Sequence, residues 1–131
     1  MERKIVNPWT WQDRHAFVQA VAVTGATRVL VCAGQASVSP EGQTLHPGDL
    51  RAQINQALDN LEVVLGQAGF KLGDVVRLNY FCTDLDRFFK EDDDLKRRLA
   101  DAGCRCASSM YGITRLGNPD LLIEIEALAM A

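Results

Sequence analysis

The chain has 131 residues, of which 47% are hydrophobic and 24% charged, and its formal net charge is -3. These values fit one globular domain over residues 1–131, and the absence of a basic stripe argues against nucleic-acid binding. No apolar run approaches the roughly 18 residues that cross a bilayer, and residues 1–8 lack the apolar core of a signal peptide. Because the four cysteines also have the pattern of buried thiols, we expect a cytoplasmic protein with no membrane partner.

Two β-rich runs near the N-terminus predict a hairpin. Residues 17–23 and 28–34 flank the short glycine-containing turn 24–27. The next element is the strongest helix in the sequence, because Asp49 offers an N-cap and Gly69 a stop. Between them, apolar residues recur at spacings of three and four, namely Leu50, Ile54, Leu58, Leu61, Leu65 and Ala68.

The second half of the chain predicts three strands and one further helix. The strands cover residues 74–83, about 106–114 and about 121–129, and the helix covers about 85–102. The order ββ(β)αβαββ predicts an α/β fold of the α+β two-layer kind, with two helices packed on one face of a mixed six-stranded sheet. Since no element remains to cover the opposite face, we expect a homotrimer to cover it.

The last strand places a carboxylate among apolar residues. Its residues alternate, so Glu124 shares a face with Leu122 and is flanked in sequence by isoleucines. A glutamate in such surroundings is a candidate general acid or base. The alternative is that Glu124 and Glu126 lie on a solvated or interface face, paired with arginines such as Arg77 or Arg115.

A second candidate, Asp92, lies on the apolar stripe of the predicted second helix. It follows Phe88 by four residues and precedes Leu95 by three, which directs it toward the sheet. A charge there is either partly buried and paired, or placed at the edge of a cleft where a ligand reaches it. The alternative is a helix that rotates slightly and exposes the carboxylate.

Other residue types give weaker signals. Cys104 and Cys106 form one Cys-x-Cys pair, whereas structural zinc sites show two spaced ligand pairs, so we predict no metal. No phosphate-binding glycine loop and no nucleophile motif is present. Trp9 and Trp11 either line a ligand pocket or pin the N-terminal segment to the body.

Three segments resemble the Rid family, the YjgF-like reactive intermediate deaminases. Residues 17–21, Phe-Val-Gln-Ala-Val, resemble the family's Tyr-x-Gln-Ala-Val segment, and residues 33–35, Ala-Gly-Gln, resemble its Ser-Gly-Gln turn. Residues 123–129, Ile-Glu-Ile-Glu-Ala-Leu-Ala, match its C-terminal strand almost residue for residue. The first helix and the segments at 74–76 and 83–85 follow at family spacing, so the resemblance covers nearly the whole chain in order.

The resemblance implies a chorismate-mutase-like homotrimer with three clefts at the subunit interfaces. Typical members hydrolyse enamines and imines to ketones and ammonia without a cofactor, and in them an arginine clamps the substrate carboxylate. It further implies that Glu124 positions the attacking water and that the backbone at Gly34 supplies a polar contact.

The chain departs from that pattern around the implied cleft. Residues 106–109, Cys-Ala-Ser-Ser, align with the family's Pro-Ala-Arg-Ser, which puts Ser108 where the arginine stands. Phe17 replaces a tyrosine and Asp92 an asparagine. Arg105 lies three residues before Ser108, so it reaches the cleft only if the strand starts late or bulges. A more acidic cleft without the arginine predicts poor binding of imines derived from amino acids.

Two classes of function are consistent with these residues. The first is an imine or enamine hydrolase for a substrate without the usual α-carboxylate, with Glu124 as the base, Ser108, Asp92 and Gly34 as polar contacts and Phe17 as a wall. The alternative is a non-catalytic trimer that binds a small metabolite or a partner protein. Endoribonuclease activity, attributed to some relatives, is disfavoured by the acidic composition.

Overall fold

The computed structural model describes all 131 residues. The strands are β1 (Glu2–Val6), β2 (Ala20–Thr24), β3 (Val29–Ala36), β4 (Val75–Cys82), β5 (Ala107–Gly112) and β6 (Ile123–Met130). The helices are α1 (Leu50–Gln67), α2 (Leu85–Glu91) and α3 (Asp93–Asp101), and single 3-10 turns cover Asp13–His15 and Leu72–Asp74. None of the helices combines the length and the apolar character needed to cross a membrane.

The strands form two sheets rather than the single predicted sheet of six. A mixed sheet has the order β3-β6-β4-β5, in which β4 and β5 are parallel and the other pairs are antiparallel. β1 and β2 form a separate antiparallel ribbon. The ribbon segment joins the free edge of β5 through one bridge between Val18 and Ala107. The predicted α+β class with a mixed sheet is therefore confirmed, and the single continuous sheet is not.

The predicted hairpin between the second and third strands is wrong. β2 pairs with β1, with Ile5 opposite Val21, and β3 pairs with β6. The sequence predicts no strand at residues 2–6, yet this segment alternates between exposed and half-buried positions and supplies β2 with a partner. The turn at Gly25, which has φ +73°, carries the chain from the ribbon to the sheet instead of folding it back.

Helix α1 agrees with its prediction. The Asp49 side chain accepts a hydrogen bond from the Ala52 N–H at 3.0 Å, which caps the first turn. The leucines and the isoleucine of its apolar stripe are buried against β3 and β6, whereas Ala68 is the exposed C-cap. Each of these buried side chains contributes about 1.5–3 kcal/mol. Beyond its C-terminal end, Gly69 takes φ +76°, a left-handed conformation that terminates helices.

The single helix predicted over residues 85–102 is divided in two at Asp92. That residue has φ -93° and ψ 9°, outside helical geometry, and separates α2 from α3. Phe88 before the break and Leu95 and Leu99 after it are all buried. The break therefore lets both pieces keep their apolar faces on the sheet, and the protein has three α-helices where the sequence predicts two.

The two faces of the four-stranded sheet differ in what covers them. A core of 22 buried residues fills the space on the side of the three helices, as predicted. On the outer face, β3 leaves Val29 and Val31 57% and 77% exposed. β6 presents Glu124 and Glu126 on the same outer face, each half-buried.

Candidate functional site

A cavity of about 220 Å³ lies between β5, the break that separates α2 from α3, and the segment that precedes β2. Among the predicted site residues, Phe17, Asp92 and Ser108 line it, although they come from three distant parts of the chain. Its polar lining also includes His15 and Lys96. Most of its wall is hydrophobic, and five of the lining residues carry aromatic rings, namely Trp11, Phe17, Tyr80, Phe88 and Phe89.

The segment before β2 brings Phe17 and Trp11 to the cavity. The Val18 N–H donates a hydrogen bond to the Cys106 carbonyl at 3.0 Å, which anchors this segment beside the start of β5. The rings of Trp11 and Phe17 meet edge to face with their centroids 5.9 Å apart. Trp11 therefore lines a pocket, which is one of the two alternatives predicted for the tryptophans, whereas Trp9 does not line this cavity.

Asp92 is a buried carboxylate in the cavity wall. The residue is 4% exposed, and its position at the helix break gives its side chain no capping hydrogen bond. The Lys96 Nζ lies 3.3 Å from the Asp92 Oδ1 and forms an ion pair with it. This contact does not have hydrogen-bond geometry, so the buried oxygen accepts no hydrogen bond. The alternative of a buried charge paired with a neighbouring side chain therefore agrees with the structure, the rotated, exposed alternative is wrong, and a contact between Asp92 and a ligand stays a prediction.

Ser108 faces the helices. In β5 it pairs with Leu78 of β4, whose side chain is fully buried in the core. Its neighbour Ser109 lies on the opposite face, where its Oγ accepts a hydrogen bond from Arg77 at 2.6 Å. Ser108, Ser109 and Met110 all line the cavity, so β5 offers it no charged group.

Arg105 lies outside any strand. β5 begins at Ala107, so the late strand start that the sequence analysis allowed is what occurs. Arg105 lines an adjoining cavity of about 320 Å³ together with Arg14, and this cavity shares Phe17 and Lys96 with the aromatic one. Arg105 does not line the aromatic cavity itself.

Tyr80 contributes a neutral hydroxyl to the cavity. Burial raises the pKa of Tyr80 well above its usual value, and the negative charges of Cys106, Cys104 and Asp92 add to the rise. Its ring packs against Phe88 with the centroids 5.7 Å apart. A phenol with a raised pKa stays protonated at physiological pH, so this hydroxyl is able to donate a hydrogen bond and is not a base.

The cysteines are free and buried, as predicted. A hydrogen bond between the two thiols raises the pKa of Cys104 and lowers that of Cys106. Burial raises the pKa of Cys32 and Cys82. No group of three or more His, Cys, Asp or Glu side chains is arranged to hold a metal ion.

Glu124 and Gly34 form a close pair on the outer face of the sheet. A Cβ atom at position 34 would lie 2.5 Å from the Glu124 Cδ and 2.7 Å from its Oε2, so only glycine leaves room for the carboxylate. The register of β3 against β6 shifts between Cys32 and Gln35, which places Gly34 at an irregularity. The alternative pairing with arginines is not observed, because Arg77 donates to Ser109 and Arg115 to the Leu116 carbonyl.

One chain does not bring Glu124 and Ser108 together. Glu124 lies opposite Phe81 of β4, whereas Ser108 lies opposite Leu78. Phe81 and Leu78 are three residues apart on one strand, so their side chains point to opposite faces. The predicted base with its glycine therefore lies on the outer face, and Ser108, Asp92 and Phe17 lie on the helix side.

Sequence reasoning did not assign Lys96, His15 and Tyr80 to the site. The spacing of Lys96, four residues after Asp92, was a usable signal, since such pairs meet on a helix. His15 reaches the cavity from a 3-10 turn and packs against Phe89 with ring centroids 6.0 Å apart. Tyr80 lies in the middle of an apolar strand, where nothing in the local pattern distinguishes it from a core residue.

Comparison with known proteins gives a consistent result. Residues 11–131 match the family described as Endoribonuclease L-PSP. A 2-iminobutanoate/2-iminopropanoate deaminase from Escherichia coli K12 is 32% identical over 103 residues, which cover 78% of this chain and 79% of the relative. A RutC family protein from Pyrococcus horikoshii is 31% identical over 104 residues, which cover 79% of this chain and 80% of that protein.

Solved structures of similar proteins share the whole fold. A Yersinia pestis protein of the conserved Rid family, YyfB, superposes with a TM-score of 0.79 at 34% identity, covering 100% of both chains. The YjgF gene product of E. coli superposes with a TM-score of 0.70 at 32% identity, covering 86% of both chains. The chain therefore belongs to the Endoribonuclease L-PSP family, the YjgF/Rid proteins.

Proposed function

We propose that this protein hydrolyses a reactive imine or enamine to a carbonyl compound and ammonia, as a homotrimer with clefts between its subunits. The observation that carries the proposal is the Glu124 carboxylate, which rests against Gly34 and makes no ion pair within the chain. A half-buried carboxylate that has no ion-pair partner in its own chain is available to accept a proton from water. The E. coli relative that bears the name of an imine deaminase supports the class of reaction.

In this proposal water is the only co-reactant. Glu124 accepts a proton as the water oxygen bonds to the carbon of the protonated imine, which gives a carbinolamine. Glu124 then returns that proton to the nitrogen, the C–N bond breaks to release ammonia, and Glu124 accepts the hydroxyl proton as the carbonyl forms and passes it to the ammonia. The net reaction converts R₂C=NH₂⁺ and H₂O into R₂C=O and NH₄⁺, so atoms and charge balance.

The homotrimer would bring the base to the cavity. A neighbouring subunit whose outer sheet face packs over the mouth of the cavity would supply Glu124 and would also cover the exposed Val29 and Val31. Light scattering at micromolar concentration is expected to give three times the 14.4 kDa of one chain. A stable monomer that remains active would contradict this arrangement.

The expected substrate lacks an α-carboxylate. Ser108 offers one neutral hydroxyl to the cavity, and the nearby carboxylate of Asp92 repels anions. Arginine, by contrast, binds a carboxylate through two parallel charge-assisted hydrogen bonds. Imines derived from neutral amines therefore suit this cavity better than imines derived from amino acids.

The test is ammonia release by Glu124→Gln. Loss of a general base is expected to lower turnover by about 10²- to 10⁴-fold, with an unchanged mass in light scattering. Glu126→Gln is the matched control, because it removes the same charge from the same strand face and its amide can still pair with Asn79, which now bonds Glu126 at 2.9 Å. Equal activity of the two variants would exclude Glu124 as the base.

A second candidate is a trimer that binds a small metabolite without chemistry. The observation in its favour is that the cavity is complete on one chain, whereas Glu124 lies on the other sheet face. This candidate predicts ligand binding that is unchanged in Glu124→Gln and no ammonia from any imine. Measuring binding and ammonia release on the same pair of variants separates the two functions.

A further inference from the structure

We propose that the aromatic cavity selects a positively charged ligand that carries an aromatic or bulky apolar group, with Asp92 as its counter-ion. The inference goes beyond the absence of a carboxylate, because it assigns the ligand a charge. Its identification as a protonated imine, rather than a stable amine, rests on the proposed function. The binding site itself needs only the cavity and its carboxylate.

Asp92 is the one charged side chain that the fold buries. The other buried polar side chains, Gln12, Ser37 and Gln53, each donate a hydrogen bond of 2.7 to 3.1 Å to a backbone carbonyl. The Asp92 Oδ1 is buried and accepts no hydrogen bond. Buried carboxylates without hydrogen bonds are costly and rare, so the structure keeps at this position a group whose full partner is not part of the chain.

Lys96 is an incomplete partner for this carboxylate. Its Nζ is 3.3 Å from Oδ1, but its side chain is one-third exposed, against 5% for Asp92. A long lysine side chain at the mouth can turn toward water at little cost, because its ammonium group is strongly hydrated. A cationic ligand that enters the cavity can therefore take the place of Lys96 at the carboxylate.

The walls suit a cation that is attached to an apolar group. Five aromatic rings line the cavity, and the faces of such rings attract cations. The volume of about 220 Å³ exceeds the roughly 150 Å³ of an apolar cavity that holds benzene. One ring with a short amine-bearing chain therefore fits, with its nitrogen at Asp92 and its ring among Trp11, Phe17 and Phe88.

The same geometry disfavours an anion. Arg105 and Arg14 line the adjoining cavity and not the aromatic one. A carboxylate placed beside Asp92 would find the Lys96 ammonium but would lie against another buried carboxylate, and like charges at such range repel strongly in a poorly hydrated site.

A counter-ion at this position also suits the chemistry of the proposed reaction. The protonated imine, R₂C=NH₂⁺, is the electrophilic form, and a carboxylate beside its nitrogen favours that form. Hydrolysis to R₂C=O and NH₄⁺ leaves a neutral carbonyl compound that Asp92 no longer holds. Binding would thus favour substrate over organic product.

The experiment compares three ligands of similar size by calorimetry on the wild-type protein. The ligands are 2-phenylethylamine, 2-phenylethanol and 3-phenylpropanoate, which present a cation, a neutral hydroxyl and an anion on the same ring. The amine is expected to bind about tenfold or more tightly than the alcohol, the range of one charge-assisted hydrogen bond, and the anion weakest of all.

Two substitutions locate the effect. Asp92→Asn is expected to remove the preference for the amine, whereas Asp93→Asn, at a neighbouring carboxylate that is 73% exposed, is expected to leave it unchanged. Lys96→Met is expected to tighten binding of the amine, since it removes the competing cation. Circular dichroism establishes that each variant is folded, and the ligand series on the wild type and Lys96→Met tests the inference even where Asp92→Asn does not fold.

The outcomes separate this inference from the proposed function. Equal affinity for amine and alcohol, or an undiminished preference in Asp92→Asn, overturns the counter-ion role whatever the protein catalyses. A preference for the amine that depends on Asp92 supports it, even if no imine releases ammonia, and in that case only the proposed hydrolysis fails.

Discussion

The two faces of the four-stranded sheet place the residues of one strand in two different environments. On the helix side β6 buries Ile123 and Ile125 completely, whereas on the outer side it leaves Glu124 and Glu126 half-exposed. Along β6, residues that belong to the core therefore alternate with residues that lie on the face of the candidate catalytic group. The comparison teaches that on an alternating strand the stability of the fold and the reactivity of the site can change independently.

The largest expected effect on stability comes from truncating a core side chain on the helix side of the sheet. Leu78→Ala is expected to lower the free energy of unfolding by about 2–5 kcal/mol, because Leu78 is fully buried. Val31→Ala, on the outer face at 77% exposure in one chain, is expected to cost less than about 0.5 kcal/mol within that chain, so any larger loss measures its contact with the neighbouring subunit of the proposed trimer. Urea unfolding of both variants at one protein concentration measures the difference. Equal losses would mean that the outer face is as much a part of the core as the inner one.

A second change alters the chemistry of the helix side and leaves the outer face untouched. The wild type is expected to be nearly inactive on 2-aminoacrylate, and Ser108→Arg is expected to raise that activity by roughly ten- to hundredfold through charge-assisted hydrogen bonds. Asp92→Asn in the same chain should raise it further on this carboxylate-bearing substrate, because freeing the new guanidinium from Asp92 outweighs the loss of a counter-ion to the imine nitrogen. Ser108→Lys restores the charge without the planar fork and should gain less. High wild-type activity on this substrate would assign the carboxylate clamp to another cation, such as Arg105.

A third change addresses the outer face alone. In Gly34→Ala the new methyl group would lie 2.5 Å from the Glu124 Cδ, so the carboxylate must move. We expect turnover to fall by about tenfold, below the roughly hundredfold cost of a full 1 Å misplacement, while the mass in light scattering stays the same. Gly66→Ala is the control, because a Cβ atom there meets nothing within 4 Å. Unchanged turnover in Gly34→Ala would show that the position of Glu124 beside this glycine does not matter.

The smallest effect on stability is expected at Asp94, a helix residue that lies on neither face of the sheet. A hydrogen bond from Asn55, together with one from Arg97, holds the pKa of Asp94 below its usual value. A lowered pKa in the folded state stabilises the protein above the unfolded-state pKa, and this stabilisation is lost as the pH falls through the folded-state value. Asp94→Asn should therefore lower the Tm slightly at neutral pH and leave it unchanged in strong acid. A difference from wild type that grows in acid would contradict this sign.

The elements that the sequence predicts well are those with local signals. Helix α1 has a capping aspartate, a continuous apolar stripe and a terminal glycine, and its bounds agree with all three. The break at Asp92 was missed because Phe88, Leu95 and Leu99 keep one apparent stripe on both sides of it. A periodic pattern does not register a one-residue departure from helical geometry.

Strand pairing depends on contacts that no local pattern conveys. Arg3 donates hydrogen bonds to the carbonyls of Gly73 and Met130 at 2.6 and 3.0 Å, across most of the length of the chain. These contacts fasten β1, the partner of β2, to the rest of the fold. The candidate site was likewise only partly predictable from the sequence. The resemblance places Ser108 and Asp92 in one cleft, but tertiary packing decides which aromatic rings form its walls.

The position of the two tryptophans has a spectroscopic consequence. Trp9 and Trp11 are the only tryptophans, and they are 57% and 58% exposed on the segment before β2. Indole emission therefore originates outside the core, while the far-ultraviolet circular dichroism comes from the helices and the sheets. The two signals lose intensity together on unfolding only if this segment unfolds with the body. A fluorescence change that precedes the dichroism change would mark a separate opening of the cavity wall.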